Sequence, residues 1–238
     1  HSPDELIACM VNNFSDATCF IIVIATNDTT ASIIDNNHEK LDNYFILPTV
    51  ENKGNLSGVM NKEYMSRLAT SVGLNVPKTW LVDDGSIPSD IEYPCITKAI
   101  SSVAGTKDNI AICYNDNELK NFLSEESRCS KIQIQKFINK DFEFQLLGCS
   151  LNSGEEIIIP GRTHIERPKG LDNTFFLSFD KIEQNLEDLV EKAKIFVRQT
   201  GYSGPFSIEF LRDKDNGLDF FLEMNFRNDG NAYCVTAA

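Results

Sequence analysis

The chain has 238 residues, of which 42% are hydrophobic and 24% are charged. This composition excludes a disordered or fibrous protein, and the length suffices for one large domain or two small ones. Lys and Arg total 22 against 35 Asp and Glu, so the formal net charge is −13 and we expect no nucleic-acid partner. The longest apolar run, Cys19–Ala25, is much shorter than the roughly 20 residues that span a bilayer, so we expect no membrane partner.

The seven cysteines are an odd number and are scattered without paired spacing. A disulfide framework and a zinc site are therefore not expected, and the cysteines indicate reduced thiols in a cytoplasmic protein. The first residue is His1 rather than Met, so we expect that the true beginning of the chain is missing. The sequence predicts no oligomeric state.

The first 48 residues predict a short α/β stretch. It consists of a helix, a buried strand over Cys19–Ala25, a turn-rich segment and a strand over Tyr44–Leu47. Downstream, the patterns predict helices over 62–72, 116–124 and 183–200, and strands over 79–82, 95–99, 109–114, 131–138, 141–149, 156–160, 207–211 and 218–226. The fold class is therefore α+β, with sheets connected mostly by hairpins.

The last two predicted strands place acidic side chains together. A three-residue loop centred on Asn216 puts Glu209 opposite Glu223, and side chains alternate between the two faces of a strand. Two carboxylates and an amide suit a hard cation such as Mg²⁺, and the alternative is the solvated polar face of a half-buried sheet. The core face then carries Phe206, Ile208, Phe210, Leu222, Met224 and Phe226, and the polar face carries Ser207, Glu209, Glu223, Asn225 and Arg227.

Lys98 ends an otherwise apolar predicted strand and precedes a loop of small residues over 101–107. Such a loop can bring backbone N–H groups to a phosphate, with the lysine as a point charge. The alternatives are an ordinary turn and a surface lysine, and the glycine-rich phosphate-binding motifs are absent from the sequence. Likewise, the strand that contains Gln135, Lys136, Phe137 and Ile138 could offer a free edge to an adenine ring, or be an ordinary strand.

Five segments in this order resemble the ATP-grasp superfamily, which includes biotin carboxylase, carbamoyl-phosphate synthase and D-alanine–D-alanine ligase. The segments are Asn61-Lys62 with Gly73–Pro77, Tyr93–Lys98, Gln135–Ile138, Ser207–Phe210 and Glu223–Arg227. The ending Glu223–Gly230 most resembles the D-aspartate-ligase-like, or carboxylate–amine ligase, branch. Gln135 and Asn61 depart from the family pattern, which usually has Glu and Asp at these positions.

The resemblance implies an ATP-grasp fold, in which two α+β lobes grip the nucleotide. Residues 1–50 would be a truncated Rossmann-like segment that precedes it, residues 51–134 the N-terminal lobe and residues 135–238 the C-terminal lobe, truncated at its end. It also implies ATP and one or two Mg²⁺ ions, for which Mn²⁺ can substitute.

The same resemblance assigns roles to individual residues. Glu209, Glu223 and Asn225 would hold the metal, and Arg227 and Lys98 would act in catalysis. The nucleotide would contact Lys62, Lys98, Ser101, Ser102, Gly105, Gln135, Lys136, Phe137, Ile138 and either Asp141 or Glu143, of which Glu143 is preferred for the ribose. The cationic residues Arg162, His164, Arg167 and Lys169 could hold an acidic substrate or the γ-phosphate, or form a solvated basic strand.

The predicted function is an ATP-dependent ligase that joins a small carboxylate to an amine through an acylphosphate, with an amino-acid or peptide-like substrate. Two alternatives remain from the sequence, a phosphotransferase on the same fold and a nucleotide-binding module without catalytic activity.

Overall fold

The computed structural model describes residues 2–15, 17–82, 87–99, 110–125, 132–166, 176–182 and 186–232. The helices are α1 (Pro3–Phe14), α2 (Asp28–Asn36), α3 (His38–Leu41), α4 (Leu56–Val59), α5 (Lys62–Ser71), α6 (Asp116–Glu125) and α7 (Glu187–Thr200). The strands are β1 (Ile21–Ile22), β2 (Phe45–Ile46), β3 (Thr49–Val50), β4 (Thr79–Val82), β5 (Cys95–Ala99), β6 (Ile110–Cys113), β7 (Ile132–Lys136), β8 (Lys140–Leu151), β9 (Glu156–Glu166), β10 (Phe176–Lys181), β11 (Tyr202–Asp213) and β12 (Asp219–Asn225). Within these ranges, no helix combines the length and the apolar character needed to cross a membrane.

The chain folds as two units. The larger unit contains residues 1–76 and 140–238, and the smaller unit contains residues 77–139. This grouping differs from the predicted borders at 50 and 134, because the early part of the chain is joined to the last hairpin. Val50 in β3 pairs with Tyr202 in β11, and Asn75 forms a bridge with Phe220.

The larger unit is built on an antiparallel sheet in the order β10-β9-β8-β11-β12. One face of this sheet is apolar, with the Phe144 ring stacked on that of Phe210 and the Phe196 ring of α7 packed against Phe221. Helix α5 begins after Asn61, whose side chain accepts a hydrogen bond from the Tyr64 N–H. The opposite face of the sheet carries the polar residues that form the candidate site.

The smaller unit is an antiparallel sheet in the order β4-β7-β5-β6, with α6 following β6. It has a hydrophobic core of its own, which is separate from the core of the larger unit. The buried residues of this core include Trp80, Val82, Cys95, Cys113, Leu119 and Ile134.

The predicted buried strand over Cys19–Ala25 is wrong in both length and burial. Only Ile21 and Ile22 form a strand, β1, which pairs in parallel with β2. Ile22 is 65% exposed and Phe20 is 76% exposed, because only alternate residues of this segment reach the core. The segment predicted as turn-rich contains α2, whose first turn is capped by the Asn27 side chain.

The register of the last hairpin confirms the predicted pairing of Glu209 with Glu223. Ser207 likewise pairs with Asn225, but the register shifts by one residue between Glu209 and Phe210. This β-bulge sets Phe210 opposite Phe221. The prediction that Leu222 belongs to the core face is therefore wrong, and Phe221, which is 1% exposed, takes that place.

Candidate functional site

The polar face of the larger sheet carries a row of side chains that crosses four strands. Thr163 in β9 pairs with Gln145 in β8, Gln145 pairs with Glu209 in β11, and Glu209 pairs with Glu223 in β12. The Gln145 amide donates a hydrogen bond of 3.0 Å to Oε1 of Glu209. Because strands are rigid, the two carboxylates are held on one face before any ligand arrives.

Glu209 resists ionisation at this position. Burial, as the largest cause, and the neighbouring charge of Glu223 raise the pKa of its carboxyl from 4.5 to about 7, against the lowering effect of the hydrogen bonds from the Asn225 and Gln145 amides. Two acids in this arrangement have an electrostatic cost that a cation would relieve.

One cation already contacts the acidic pair. Nζ of Lys62, the first residue of α5, lies 3.0 Å from Oε2 of Glu223. The Lys62 side chain is 67% exposed and that of Glu223 is 32% exposed. Among the described residues, no other Lys, Arg or His forms an ion pair with Glu209 or Glu223.

Asn225 is fixed by a chain of hydrogen bonds. Its Nδ2 donates to Oε1 of Glu209 at 3.0 Å and to the Ser207 hydroxyl at 3.1 Å. That hydroxyl donates in turn to Oδ2 of Asp229, which is 8% exposed. The amide orientation therefore directs Oδ1 of Asn225 away from Glu209.

Arg227 is bound to oxygens of the chain itself. Its Nε donates to Oδ1 of Asp28 at 2.8 Å, its Nη2 donates to Oδ1 of Asn225 at 3.3 Å, and its Nη1 lies 3.5 Å from Oδ2 of Asp229. Asp28 is the first residue of α2, so Arg227 connects the acidic face to the start of that helix.

The two candidates for the ribose carboxylate differ in burial. Glu143 is 8% exposed and lies two residues before Gln145 on the same face of β8, whereas Asp141 is exposed. Nζ of Lys140 lies 3.6 Å from Oε2 of Glu143. Both acids therefore stay as candidates, and Glu143 is the one placed beside the acidic row.

The prediction that the strand containing Gln135–Ile138 has a free edge is wrong for β7. β7 lies between β4 and β5, so both of its edges are paired. The Lys136 N–H donates to the Lys78 carbonyl and the Phe137 N–H donates to the Pro94 carbonyl. The Lys136 ammonium pairs with Glu92 at 2.8 Å, and β7 ends at Lys136, before Phe137 and Ile138.

Two members of the predicted cationic segment, Arg162 and His164, do not lie on the acidic face. Arg162 and His164 point to the opposite face, where the guanidinium of Arg162 lies over the Phe144 ring at 5.6 Å. Both side chains are paired with Asp180, at 3.4 Å and 2.8 Å. Strand alternation brings Thr163, and not its two neighbours, to the row of Glu209, so the binding of an acidic substrate or the γ-phosphate by these cations stays a prediction that their position does not support.

Several predicted residues cannot be placed. Lys98 lies in β5, where its backbone pairs with Ile110 and Gln133, but its side chain is outside the described part of the structure. The remaining members of the predicted phosphate loop and cationic segment also lie outside the described residues, namely Ser101, Ser102, Gly105, Arg167 and Lys169.

The family model for the carbamoyl-phosphate synthase L chain, ATP binding domain, matches residues 61–232 of the chain. These are the residues that carry the acidic pair, Lys62 and Arg227. The chain belongs to this ATP-grasp family.

Individual relatives agree with this assignment. The chain is 29% identical over 142 residues to a formate-dependent phosphoribosylglycinamide formyltransferase from a Sulfurovum strain, a match that covers 58% of this chain and 35% of the relative. An L-amino acid ligase from Bacillus licheniformis superimposes with a TM-score of 0.69 at 15% identity, over 98% of this chain and 55% of that one. The biotin carboxylase domain of the Hydrogenobacter thermophilus 2-oxoglutarate carboxylase, solved with MgADP and bicarbonate, gives 0.68 at 17% identity, over 97% and 52%.

These similarities confirm the predicted ATP-grasp fold. The chain spans about half the length of the two solved structures and about a third of the formyltransferase.

The donor set of this ATP-grasp chain fits a hard divalent cation. Carboxylate and amide oxygens are the ligands that Mg²⁺ prefers, and Glu209, Glu223 and Asn225 supply them from two adjacent strands. Burial and the adjacent Glu223 raise the pKa of Glu209 and disfavour its charged form, which a bound cation would stabilise. In the described part of the chain, no group of three His, Cys, Asp or Glu side chains is arranged to hold a metal, so the Asn225 amide is needed to complete a set of three.

The sequence interpretation missed three residues of the site. Gln145 binds Glu209, Asp229 accepts from Ser207, and Asp28 accepts from Arg227. Gln145 follows Asp141 and Glu143 at alternate positions, so strand periodicity alone could have identified it. Asp28 is 199 residues away from Arg227 along the chain, and no local pattern in a single sequence indicates that contact.

Proposed function

We propose that this chain carries the nucleotide-binding and metal-binding part of an ATP-dependent ligase that joins a carboxylate to an amine. The observation that carries the proposal is the pairing of Glu209 with Glu223 on one rigid face, with Asn225 beside them and Lys62 in contact. A pair of acids held together at an electrostatic cost is typical of a site built for a cation, and a phosphate brought by that cation needs a lysine nearby.

The proposed reaction has two steps. An oxygen of the substrate carboxylate attacks the γ-phosphorus of ATP, the bond to the β-phosphate oxygen breaks, and ADP leaves. The amine then attacks the carbonyl carbon of the acylphosphate, which releases inorganic phosphate and a proton and leaves an amide bond. Phosphoryl transfer of this kind is accelerated mainly by positioning and charge neutralisation.

The residues of the chain would divide these tasks. Lys62 and Lys98 would neutralise phosphate charge, and the loop over 101–107 would cover the γ-phosphate. Glu143 would hold the ribose, and the segment after β7 would contact the adenine through Phe137 and Ile138. Arg227 would stabilise negative charge that develops on the transferred group.

Mg²⁺, when bound, would draw together the phosphate oxygens and neutralise their charge. Glu209 and Glu223 would hold it, and Asn225 would complete the set with Oδ1, the atom that now accepts from Arg227. The Gln145 amide donates to Glu209 and the Asn225 amide donates to Ser207, so both side chains are held in place before the cation arrives. To bind the cation, Oδ1 of Asn225 would have to exchange its contact with Arg227.

A cavity in the larger unit supports an amino-acid substrate. It has a volume of about 230 Å³ and is bordered by Asn228 and Asp229, which directly follow Arg227. The rest of its wall is mostly apolar, with Leu147, Ile158, Pro160 and Phe206 among the lining residues. A polar rim beside an apolar wall suits a small carboxylate or amine with an apolar side chain.

The proposal is tested with the full-length protein and a panel of amino acids, by measuring ADP release together with the ligated product. Glu223→Gln should abolish Mg²⁺-dependent turnover and leave the circular dichroism spectrum unchanged, while the exposed Glu39→Gln control keeps the parent rate. Turnover by Glu223→Gln at the parent rate would show that this face is not the metal site.

The same assay separates the two alternatives. A stable phosphorylated product without an amide product would indicate a phosphotransferase. Saturable ATP binding without ADP release in the presence of every amino acid would indicate a nucleotide-binding module.

A further inference from the structure

Among the described residues, Lys62 is the cation that pairs with Glu223. We propose that Lys62 is a tethered cation that neutralises Glu223 while no metal is bound and moves to the nucleotide phosphates when the metal–nucleotide complex enters. Lys62 would thus oppose the binding of free metal and favour binding of the metal together with nucleotide. The inference rests on the proposed function in that the face binds a divalent cation and ATP.

The position of Lys62 on its helix argues against a role in stability. It is the first residue of α5, directly after the capping residue Asn61. The N-terminus of a helix carries partial positive charge, so a cation there is unfavourable. An ion pair whose lysine is 67% exposed returns little of this. A residue placed against the helix dipole at this point is better explained by what it does at the site.

The geometry places Lys62 and a metal in competition for one carboxylate. Nζ lies 3.0 Å from Oε2 of Glu223, so a metal ion bound to this oxygen would lie close to the ammonium group. A lysine ammonium and a divalent cation a few ångströms apart repel each other, even when water screens them. The metal can therefore bind Glu223 well only if Lys62 leaves, and the long exposed side chain allows this.

The neighbouring acid is held by partners other than Lys62. Glu209 receives its hydrogen bonds from the neutral amides of Gln145 and Asn225, both on Oε1. No described cation forms an ion pair with it. The nucleotide phosphates would supply the alternative partner, because they enter with the metal and carry more negative charge than the metal removes. Release of Lys62 is then favourable only when both ligands are present.

The test measures binding of Mn²⁺ alone to the full chain, by electron paramagnetic resonance of the free ion, in the parent and in Lys62→Met. We expect the variant to bind Mn²⁺ about 5- to 10-fold more tightly, because a nearby positive charge has been removed. Lys62→Arg, which keeps the charge, should bind as the parent does. Arg67→Met, on the same helix and paired with Glu63 at 3.8 Å, is the matched control and should also leave Mn²⁺ binding unchanged.

A second measurement uses a non-hydrolysable ATP analogue in saturating Mg²⁺. Lys62→Met should bind this complex at least about 10-fold more weakly, the loss expected for a charged hydrogen bond to phosphate. Opposite changes in the two affinities support the exchange of partners.

Each other outcome overturns the inference. Mn²⁺ affinity that is unchanged or weaker in Lys62→Met, or no binding in either protein, would show that Lys62 does not compete with metal. An unchanged affinity for the analogue would show that Lys62 does not move to the phosphates. Neither readout depends on ligation, so a failure to find ligase activity would overturn the proposed function and leave this inference standing.

Discussion

Arg227 contacts Asp28, Asp229 and Asn225, so its guanidinium is oriented before any substrate arrives. We expect Arg227→Ala to lower kcat by about 10²–10³, the usual loss for one preorganised donor that acts in the transition state. The KM for ATP should change little, because the phosphates would still be held by the two lysines. Steady-state kinetics with the best amino acid of the panel provides the measurement.

Asp28→Asn serves as the matched variant for Arg227. Asp28→Asn weakens the hydrogen bond from Nε of Arg227 to residue 28 but leaves the Arg227 guanidinium in the site. It should therefore reduce kcat by much less than Arg227→Ala does. A rise in the KM for ATP with kcat preserved would instead identify Arg227 as a nucleotide-binding residue. Circular dichroism of both variants controls for unfolding, because Arg227→Ala also removes one of the contacts of buried Asp229.

Glu209 makes the stability of the metal-free protein depend on pH. Its pKa of about 7 lies above the ordinary 4.5, mainly because of burial, so the folded state binds more protons than the unfolded state between these values. The stabilisation present below pH 4.5 is lost as the pH rises through 7. In EDTA, Glu209→Gln should therefore be more stable than the parent at pH 8.5, by roughly 1–2 kcal/mol after screening, and by much less at pH 5.

Urea denaturation of both proteins at the two pH values measures this difference. The exposed Glu39→Gln should show the same stability as the parent at both. A gain for Glu209→Gln of equal size at pH 5 and pH 8.5 would mean that the acid is not protonated in the folded protein.

At the scale of elements, the pairing of β8 with β11 requires a glycine at position 148, opposite Phe206. A Cβ at Gly148 would lie 2.5 Å from the Ile158 carbonyl oxygen and 2.5 Å from Cζ of Phe206. Gly148→Ala should therefore lower the free energy of unfolding by about 1–3 kcal/mol, as overpacking of a buried site does. Gly230→Ala is the control, because nothing lies within 4 Å of its Cβ position. Equal stability of the two variants in urea would show that the strands separate at no cost.

Local patterns predicted most elements, but not the order of the strands. Alternation and the turn placed Glu209 opposite Glu223, and the capping asparagine and apolar spacing located α5 from Lys62 onwards. The prediction of a free edge at Gln135 was wrong because β4 pairs with β7 at this position. The residues of β4 lie more than 50 positions earlier in the chain. Such pairing depends on which surfaces meet in the folded chain, and the pattern along one strand does not contain it.

The candidate site shows the same division. The acids were identified from their spacing, whereas the cations Arg162 and His164 were assigned as a segment without regard to alternation, and they lie on the other face. An apolar run is ambiguous in a similar way. Cys19–Ala25 was expected to be buried, but its composition does not say whether one face or both are covered.

At the scale of the whole molecule, the two units have separate cores, so we expect them to unfold with different stabilities. The only tryptophan of the chain, Trp80, lies in the core of the smaller unit and reports on that unit alone. Leu119→Ala, at a position that is 0% exposed, should destabilise the smaller unit by about 2–5 kcal/mol. In this variant, the Trp80 fluorescence should change at a lower urea concentration than the main far-ultraviolet circular dichroism signal.

Val197→Ala is the corresponding variant in α7 of the larger unit. It should shift the circular dichroism transition and leave the fluorescence transition in place. If each variant moved both transitions together by the same amount, the chain would unfold as one cooperative unit.

The bulge in the last hairpin has a consequence for comparing this chain with others. Near the turn, the ion pair of Arg212 with Asp219 fixes the register, and beyond the bulge Glu209 pairs with Glu223. Leu222 is the extra residue between these two registers. In a chain without Leu222, the register near the turn would continue without a bulge to Glu209. Glu209 would then still pair with Glu223, and Phe221 would still lie in the core. Alignments of shorter relatives should therefore place a one-residue gap at Leu222, since a gap in the turn would assign the wrong residue as metal ligand.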